Sequence, residues 1–140
     1  MMALYLLDTT TLTLLQRRHT RVTAAVVAHA TDTLGVTTVN VEEVVGGWFA
    51  LLRRAKTTTQ EGQAAQALAD AMGLLARFAV LPTTEAALDR FDRLVKLKLN
   101  VGKMDLKMAA VALEVGATVV TNNARDFARV PGLSWEDWAV

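Results

Sequence analysis

The chain has 140 residues, 52% hydrophobic and none of them cysteine; this suits one aliphatic core over residues 1–140 and excludes disorder, a disulfide scaffold and a cysteine nucleophile. A thiolate zinc site is excluded too, and with only His19 and His29 a multi-histidine metal centre is disfavoured. Its 15 basic and 14 acidic residues leave a formal charge of +1, which argues against a nonspecific basic coat for nucleic acid but permits a local basic groove.

The amino-terminal run from Met1 to Leu7 has no basic region and is too short for a signal peptide or a membrane span. No later stretch reaches roughly 18 uncharged apolar residues, so a soluble, cytoplasmic protein is expected. Ala3 to Leu7 reads as a strand that runs into Asp8-Thr9-Thr10-Thr11. Arg21 to Ala30 has helical spacing through Val22, Val26 and Val27. Val36 to Val39 reads as a second strand, followed by Asn40 and a helix from Glu42 to Arg54 that carries Val44, Val45, Trp48, Leu51 and Leu52. A polar turn, Lys56 to Gln60, joins it to a helix from Gln63 to Arg77, making a helical hairpin. Phe78 to Leu81 is the third strand, closed by Pro82. Helices follow over Glu85 to Leu99 and Lys103 to Val115, then a strand at Thr118 to Val120 and a short fifth one near Leu133 to Trp135. The strands lack strict alternation, which favours cover on both faces. Strands alternating with helices predict an α/β fold: a three-layer α/β/α sandwich on a mainly parallel sheet of four or five strands.

Ligands of such sheets bind beyond the carboxyl ends of the strands. Asp8 follows the first strand, Glu42 and Glu43 open the helix after the second, and Asp126 follows the fourth; Asp105 lies in the first turn of the helix feeding that fourth strand. Each acid alone is explained by capping, by the helix dipole or by turn chemistry. Together they point to a cation, because clustered carboxylates repel one another unless positive charge sits among them. Carboxylate oxygens suit Mg²⁺ or Mn²⁺. A carboxylate-held ion with no nucleophilic side chain fits phosphate-ester hydrolysis, since it can activate and orient a water and neutralise developing charge. Thr9, Thr121 and Asn123 are candidates to hydrogen-bond these carboxylates or their waters.

These residues resemble the PIN-domain ribonucleases, especially the VapC-type toxins of toxin–antitoxin pairs. The resemblance spans almost the whole chain. It rests on Tyr5-Leu6-Leu7-Asp8-Thr9, on Val41 to Trp48, on Gly102 to Ala110, on Thr121 to Phe127, and on Arg129-Val130-Pro131-Gly132-Leu133 with Trp138. It implies a PIN-like sandwich, endonucleolytic cleavage of RNA, Mg²⁺ or Mn²⁺ held by Asp8, Asp105 and Asp126, and Asp8, Glu43, Asp105 and Asp126 as the catalytic acids. Glu43 is taken over Glu42 because the family's glutamate stands four residues before a glycine, here Gly47, although Glu42 has the same spacing to Gly46. Thr10 stands where the family usually has asparagine. An aspartate-nucleophile phosphatase would need a second acid at that position, which disfavours that reading. The sequence is also compatible with a non-catalytic RNA- or protein-binding module and with a housekeeping RNA-processing nuclease.

Basic residues dominate from Arg90 to Lys107, and Lys103, Lys107 and Arg93 are candidates to guide an RNA backbone toward Asp105. Arg125 is a candidate ion-pair partner for Asp126. By resemblance, the hairpin with Trp48, Phe49, Leu51 and Leu52 is expected to take an antitoxin that also reaches the acidic site, and a homodimer is expected.

Overall fold

The computed structural model describes residues 3–140; Met1 and Met2, part of the amino-terminal apolar run, lie outside the described residues. Within these, five strands and seven helices follow one another. They are β1 (Leu4–Leu7), α1 (Thr9–Gln16), α2 (Thr20–Ala28), β2 (Thr33–Thr37), α3 (Thr38–Arg54), α4 (Thr58–Leu75) and β3 (Ala79–Leu81), then α5 (Glu85–Val95), α6 (Lys103–Val115), β4 (Thr118–Val120), α7 (Ala124–Phe127) and β5 (Ser134–Glu136). All strand pairs are parallel, in the order β3-β2-β1-β4-β5. The chain therefore winds outward from β1 in one direction and then returns to its other side, so the order reverses beside β1. The Asp8 N–H closes this point by donating to the Val120 carbonyl at 3.0 Å, where β1 and β4 end.

Two apolar clusters cover the sheet. One gathers Leu6, Val119 and Phe127 with the buried face of α6, Leu106 to Ala112, and Phe91 and Leu94 of α5. The other gathers Leu7, Val36 and Val120 with Leu12, Leu15, Val22, Leu75, Phe78 and Trp138. Neighbouring residues along the same strand thus serve opposite layers, which explains why strands β1, β2 and β4 read as continuous apolar runs. The edge strands depart from the expected double cover. All of β5 is exposed, as are Ala79 and Val80 of β3, because each edge has a neighbour on one side only.

Several boundaries also differ from expectation. The run Val36 to Val39 reads as strand from its β-branched residues, yet β2 ends at Thr37 and Thr38 already belongs to α3. Thr37 caps that helix, its Oγ1 accepting the Asn40 N–H. The polar turn of the hairpin is shorter than expected, because Thr57 caps α4 and Gln60 lies inside it. Helices α1 and α7 are additional; the first is threonine-rich and the second has only four residues, so neither carries a helical pattern in sequence. No helix among the described residues is long and apolar enough to cross a membrane.

The sheet is closely packed at Gly35 of β2, between β3 and β1. A Cβ there would stand 3.0 Å from Leu81 Cδ1, 3.1 Å from the Ala79 carbonyl oxygen and 3.2 Å from Leu6 Cδ2. Gly35→Ala is expected to lower stability by about 1–3 kcal/mol through overpacking. Urea unfolding checks this as an earlier midpoint with an unchanged slope.

Candidate active site

Four acids meet at the carboxyl edge of the sheet, each brought there by a different element. Asp8 ends β1 and caps α1; its Oδ1 accepts the Thr11 N–H at 2.8 Å and the Thr10 hydroxyl at 2.9 Å. Asp8 is 3% exposed, and with both donors on Oδ1 no protein donor reaches Oδ2 among the described residues. Thr10, the departure from the family pattern, thus supplies a hydroxyl donor to the carboxylate it follows.

Glu43 sits on the second turn of α3, so neither glutamate lies in the first turn, where the helix dipole would favour them. Its Oε1 accepts the Thr9 hydroxyl at 3.0 Å, while Glu42 is exposed. Thr9 in turn accepts from Asn40 Nδ2 at 3.2 Å, and Asn40 Oδ1 accepts the Thr37 hydroxyl. Asn40 is 1% exposed, and its residue type alone does not mark it as part of the site. Its signal is position: it stands one helical turn before Glu43, hence on the same side of α3. Asn40→Ala leaves the buried Thr37 hydroxyl without its acceptor and removes the amide that supports Thr9 and through it Glu43, and is expected to cost about 1–3 kcal/mol. Thermal melting and the loss of Glu43 order in a crystal structure check the two parts of that expectation.

Asp105 lies in the first turn of α6 and Asp126 in α7. Burial pushes the Asp105 carboxyl up to about 6, and the charges of Asp8, Glu43 and Asp126 add to that shift; an Asn123 hydrogen bond opposes it. The four acids therefore share one electrostatic site. Asn123 Nδ2 also donates to Asp126 Oδ2 at 2.8 Å, so this amide serves two of the acids. Thr121 supports the same turn. Its buried hydroxyl oxygen accepts the Asn123 N–H at 2.7 Å, so it shapes the turn, and it has no direct carboxylate contact among the described residues. The ion-pair partner of Asp126 is not the expected Arg125: Arg129 Nη1 donates to Asp126 Oδ1 at 3.1 Å and to the Asn100 carbonyl at 2.9 Å, whereas Arg125 has no ion pair among the described residues. Arg129 lies in the turn just past α7, which folds its side chain back to Asp126 three residues earlier.

Lys103 and Lys107 flank Asp105 on α6, and Arg93 lies on α5. Lys103 and Arg93 are exposed, while the Lys107 ammonium lies 5.5 Å from the Phe91 ring centre, a cation–π contact that ties it to α5. The two histidines are used elsewhere: His19 caps α2 and His29 pairs with Asp32 at 2.8 Å.

The donor set is carboxylate and hydroxyl oxygen, which by hardness and charge fits Mg²⁺ or Mn²⁺. Among the described residues no group of three or more His, Asp or Glu side chains is drawn into a finished metal cage. The fit is thus one of chemistry and charge, and closing on an ion requires side-chain movement.

The PIN domain family model matches residues 5–133, which include all four acids. The chain belongs to the PIN-domain family. A relative, the tRNA(fMet)-specific endonuclease VapC of Salmonella typhimurium, is 39% identical over 75 residues, covering 51% of this chain and 57% of the relative. The match thus spans little more than half of that relative's length. Among solved structures, DNA-bound VapBC from Salmonella typhimurium matches with a TM-score of 0.79 at 25% identity, covering 99% of both chains. VapBC2 from Rickettsia felis, bound to a promoter DNA fragment, matches with a TM-score of 0.78 at 23% identity, over 96% of this chain and 98% of the matched one. The parallel five-stranded sheet with helices on both faces is therefore the PIN fold.

Proposed function

We propose that residues 1–140 form a single PIN nuclease domain, the VapC-like toxin of a toxin–antitoxin pair, acting in the cytoplasm as a divalent-metal-dependent endoribonuclease. The observation that carries this reading is the convergence of Asp8, Glu43, Asp105 and Asp126 on one electrostatic site at the sheet edge, where each of the other three raises Asp105. Asp8, Asp105 and Asp126 would hold Mg²⁺ or Mn²⁺. When bound, such an ion supplies positive charge to the phosphate and lowers the pKa of a coordinated water.

The chain's own residues do the rest. Thr10 and the Thr11 N–H fix one oxygen of Asp8, leaving the other to face the site. Asn40 and Thr9 hold Glu43 by one oxygen, so that its second can orient the attacking water. Asn123 and Arg129 fix Asp126 against the α7 turn. Lys103 and Arg93 carry free charge for the RNA backbone, and Lys107 a charge already directed by Phe91. Phosphodiester hydrolysis here needs no side-chain nucleophile, consistent with the absence of cysteine.

The solved relatives named above are VapBC, which supports an antitoxin partner for this chain. Helix α4 of the hairpin offers one surface: between it and α1 and α2 runs a cleft of about 1170 Å³ lined by Leu15, Val26, Val27 and Leu74. Phe49 and Leu51 are exposed on α3, suited to the same partner or to a second copy in a homodimer. Incubation of the purified chain with total RNA tests the activity. Fragments are expected with Mn²⁺ or Mg²⁺ and none with chelator; cleavage unchanged by chelator would contradict the reading.

A further inference from the structure

A cleft of about 280 Å³ leads away from the acids, and much of its lining has no part in the chemistry described above. Thr9 and Glu43 belong to it, as do Trp48, Leu51 and Arg54 further along α3 and Thr13 and Gln16 from α1. Glu43, Gly47, Leu51 and Arg54 follow at steps of four, four and three residues, so they share one helix face. Gly47 keeps this face low beside Glu43, with no atom within 4 Å of the place a Cβ would take.

Trp48 and Arg54 are uncommitted. The α3 valines in or against the core are Val39, Val41, Val44 and Val45, whereas Trp48 is half-buried and no hydrogen bond joins its indole N–H to the described residues. Arg54 is exposed and, among those residues, has no ion-pair partner. Trp48, Leu51 and Arg54 also line an adjoining cleft of about 500 Å³ toward α4, so the indole stands between two open spaces. Gln16 lends its Nε2 to the Ala67 carbonyl and keeps Oε1 available as an acceptor.

An aromatic face, a free guanidinium and an amide edge are the groups an unpaired nucleotide requires. Bases stack on such rings whatever their identity, guanidinium matches phosphate, and an amide reads a base edge. Charge also runs the right way along the cleft. Carboxylates that need a cation lie at one end, where a phosphate would be cut, and the arginine lies about three helical turns from Glu43, where a flanking phosphate would pass. Resting on the ribonuclease reading, we propose that Trp48 and Arg54 form a subsite that stacks one unpaired nucleotide beside the scissile phosphate of single-stranded RNA.

The test uses the full chain carrying Asp105→Asn, titrated with a fluorescein-labelled, mixed-sequence single-stranded oligoribonucleotide in Mg²⁺. Adding Trp48→Leu, which keeps apolar bulk but removes the ring, is expected to weaken binding about 10-fold, and Trp48→Tyr about 3-fold or less. Arg54→Gln is expected to lower the salt dependence by about one phosphate contact. With the acids intact, Trp48→Leu raises KM about 10-fold and leaves kcat within about 2-fold. RNA is expected to quench tryptophan emission in the parent and not in Trp48→Tyr, a readout that holds even where Trp48→Leu folds poorly. Equal affinity and equal quenching with and without Trp48 would overturn the subsite while the ribonuclease reading stands. No RNA binding by the parent, together with no cleavage by the wild-type chain, would overturn both. Unchanged RNA affinity with loss of a co-expressed protein partner would assign the cleft to protein and overturn the subsite.

Discussion

Asp105→Asn is expected to reduce RNA cleavage at least about 100-fold and, in chelator at pH 7, to raise the melting temperature by about 3 °C. The opposite signs have one cause. Asp105 is pushed from 3.8 up to about 6 by burial and by Asp8, Glu43 and Asp126. Between those two pH values the folded chain holds a proton that the unfolded chain has lost, so stability falls as pH rises through this window. Above about 6 the whole penalty is present, reduced by solvent because the carboxyl is only partly buried. Asparagine removes the charge and with it the penalty. A divalent ion relieves the same repulsion in the native chain, so Mn²⁺ is expected to raise the wild-type melting temperature and to leave Asp105→Asn nearly unmoved. Melting curves from pH 4 to 8, with and without Mn²⁺, check the sign, and a stability of the ion-free wild type that rises from pH 4 to 6 relative to the mutant would refute it.

Phe127→Ala is the change expected to cost most in stability, about 3–5 kcal/mol and on the order of 10–15 °C in melting temperature. Phe127 is fully buried in the cluster with Leu6, Val119 and the apolar face of α6. Its neighbour Asp126 sits on a four-residue helix that cannot hold itself, since so short a helix is below the cost of nucleation. Phe127 and Val130 anchor that turn from below, and Asn123 and Arg129 hold the acid from its sides. The truncation should therefore lower activity well below the new melting temperature as well. Phe127→Leu, which keeps most of the volume, should retain both.

Much of this arrangement is legible in the chain because a parallel sheet imposes a simple pattern. Lys103–Val115 and Thr118–Val120 have the bounds expected, since the helix keeps one apolar face and Gly116, at φ 70°, ends it in the left-handed conformation glycine favours. The acids are readable because they follow strands that all run one way. What stays hidden depends on side-chain direction. Val36 to Val39 has strand composition throughout, but the Thr37 cap turns its last two residues into helix, which also carries Glu43 a turn further from the helix start. Choosing between Glu42 and Glu43 needs that helix start, as each has a glycine four residues on. Arg129 rather than Arg125 meets Asp126, and Thr121 turns to backbone, because a four-residue helix has no periodicity to read. Asn40 looks like the end of a strand, so its place beneath Thr9 is not visible in composition.

The most direct measurement compares RNA cleavage by wild type, Glu42→Gln and Glu43→Gln across a Mn²⁺ titration, with chelator as the zero point. Wild type and Glu42→Gln are predicted to cleave alike and only with the ion, while Glu43→Gln falls at least about 100-fold at every concentration. Cleavage that persists in chelator, or Glu43→Gln indistinguishable from wild type, would contradict a cation site built from Asp8, Glu43, Asp105 and Asp126.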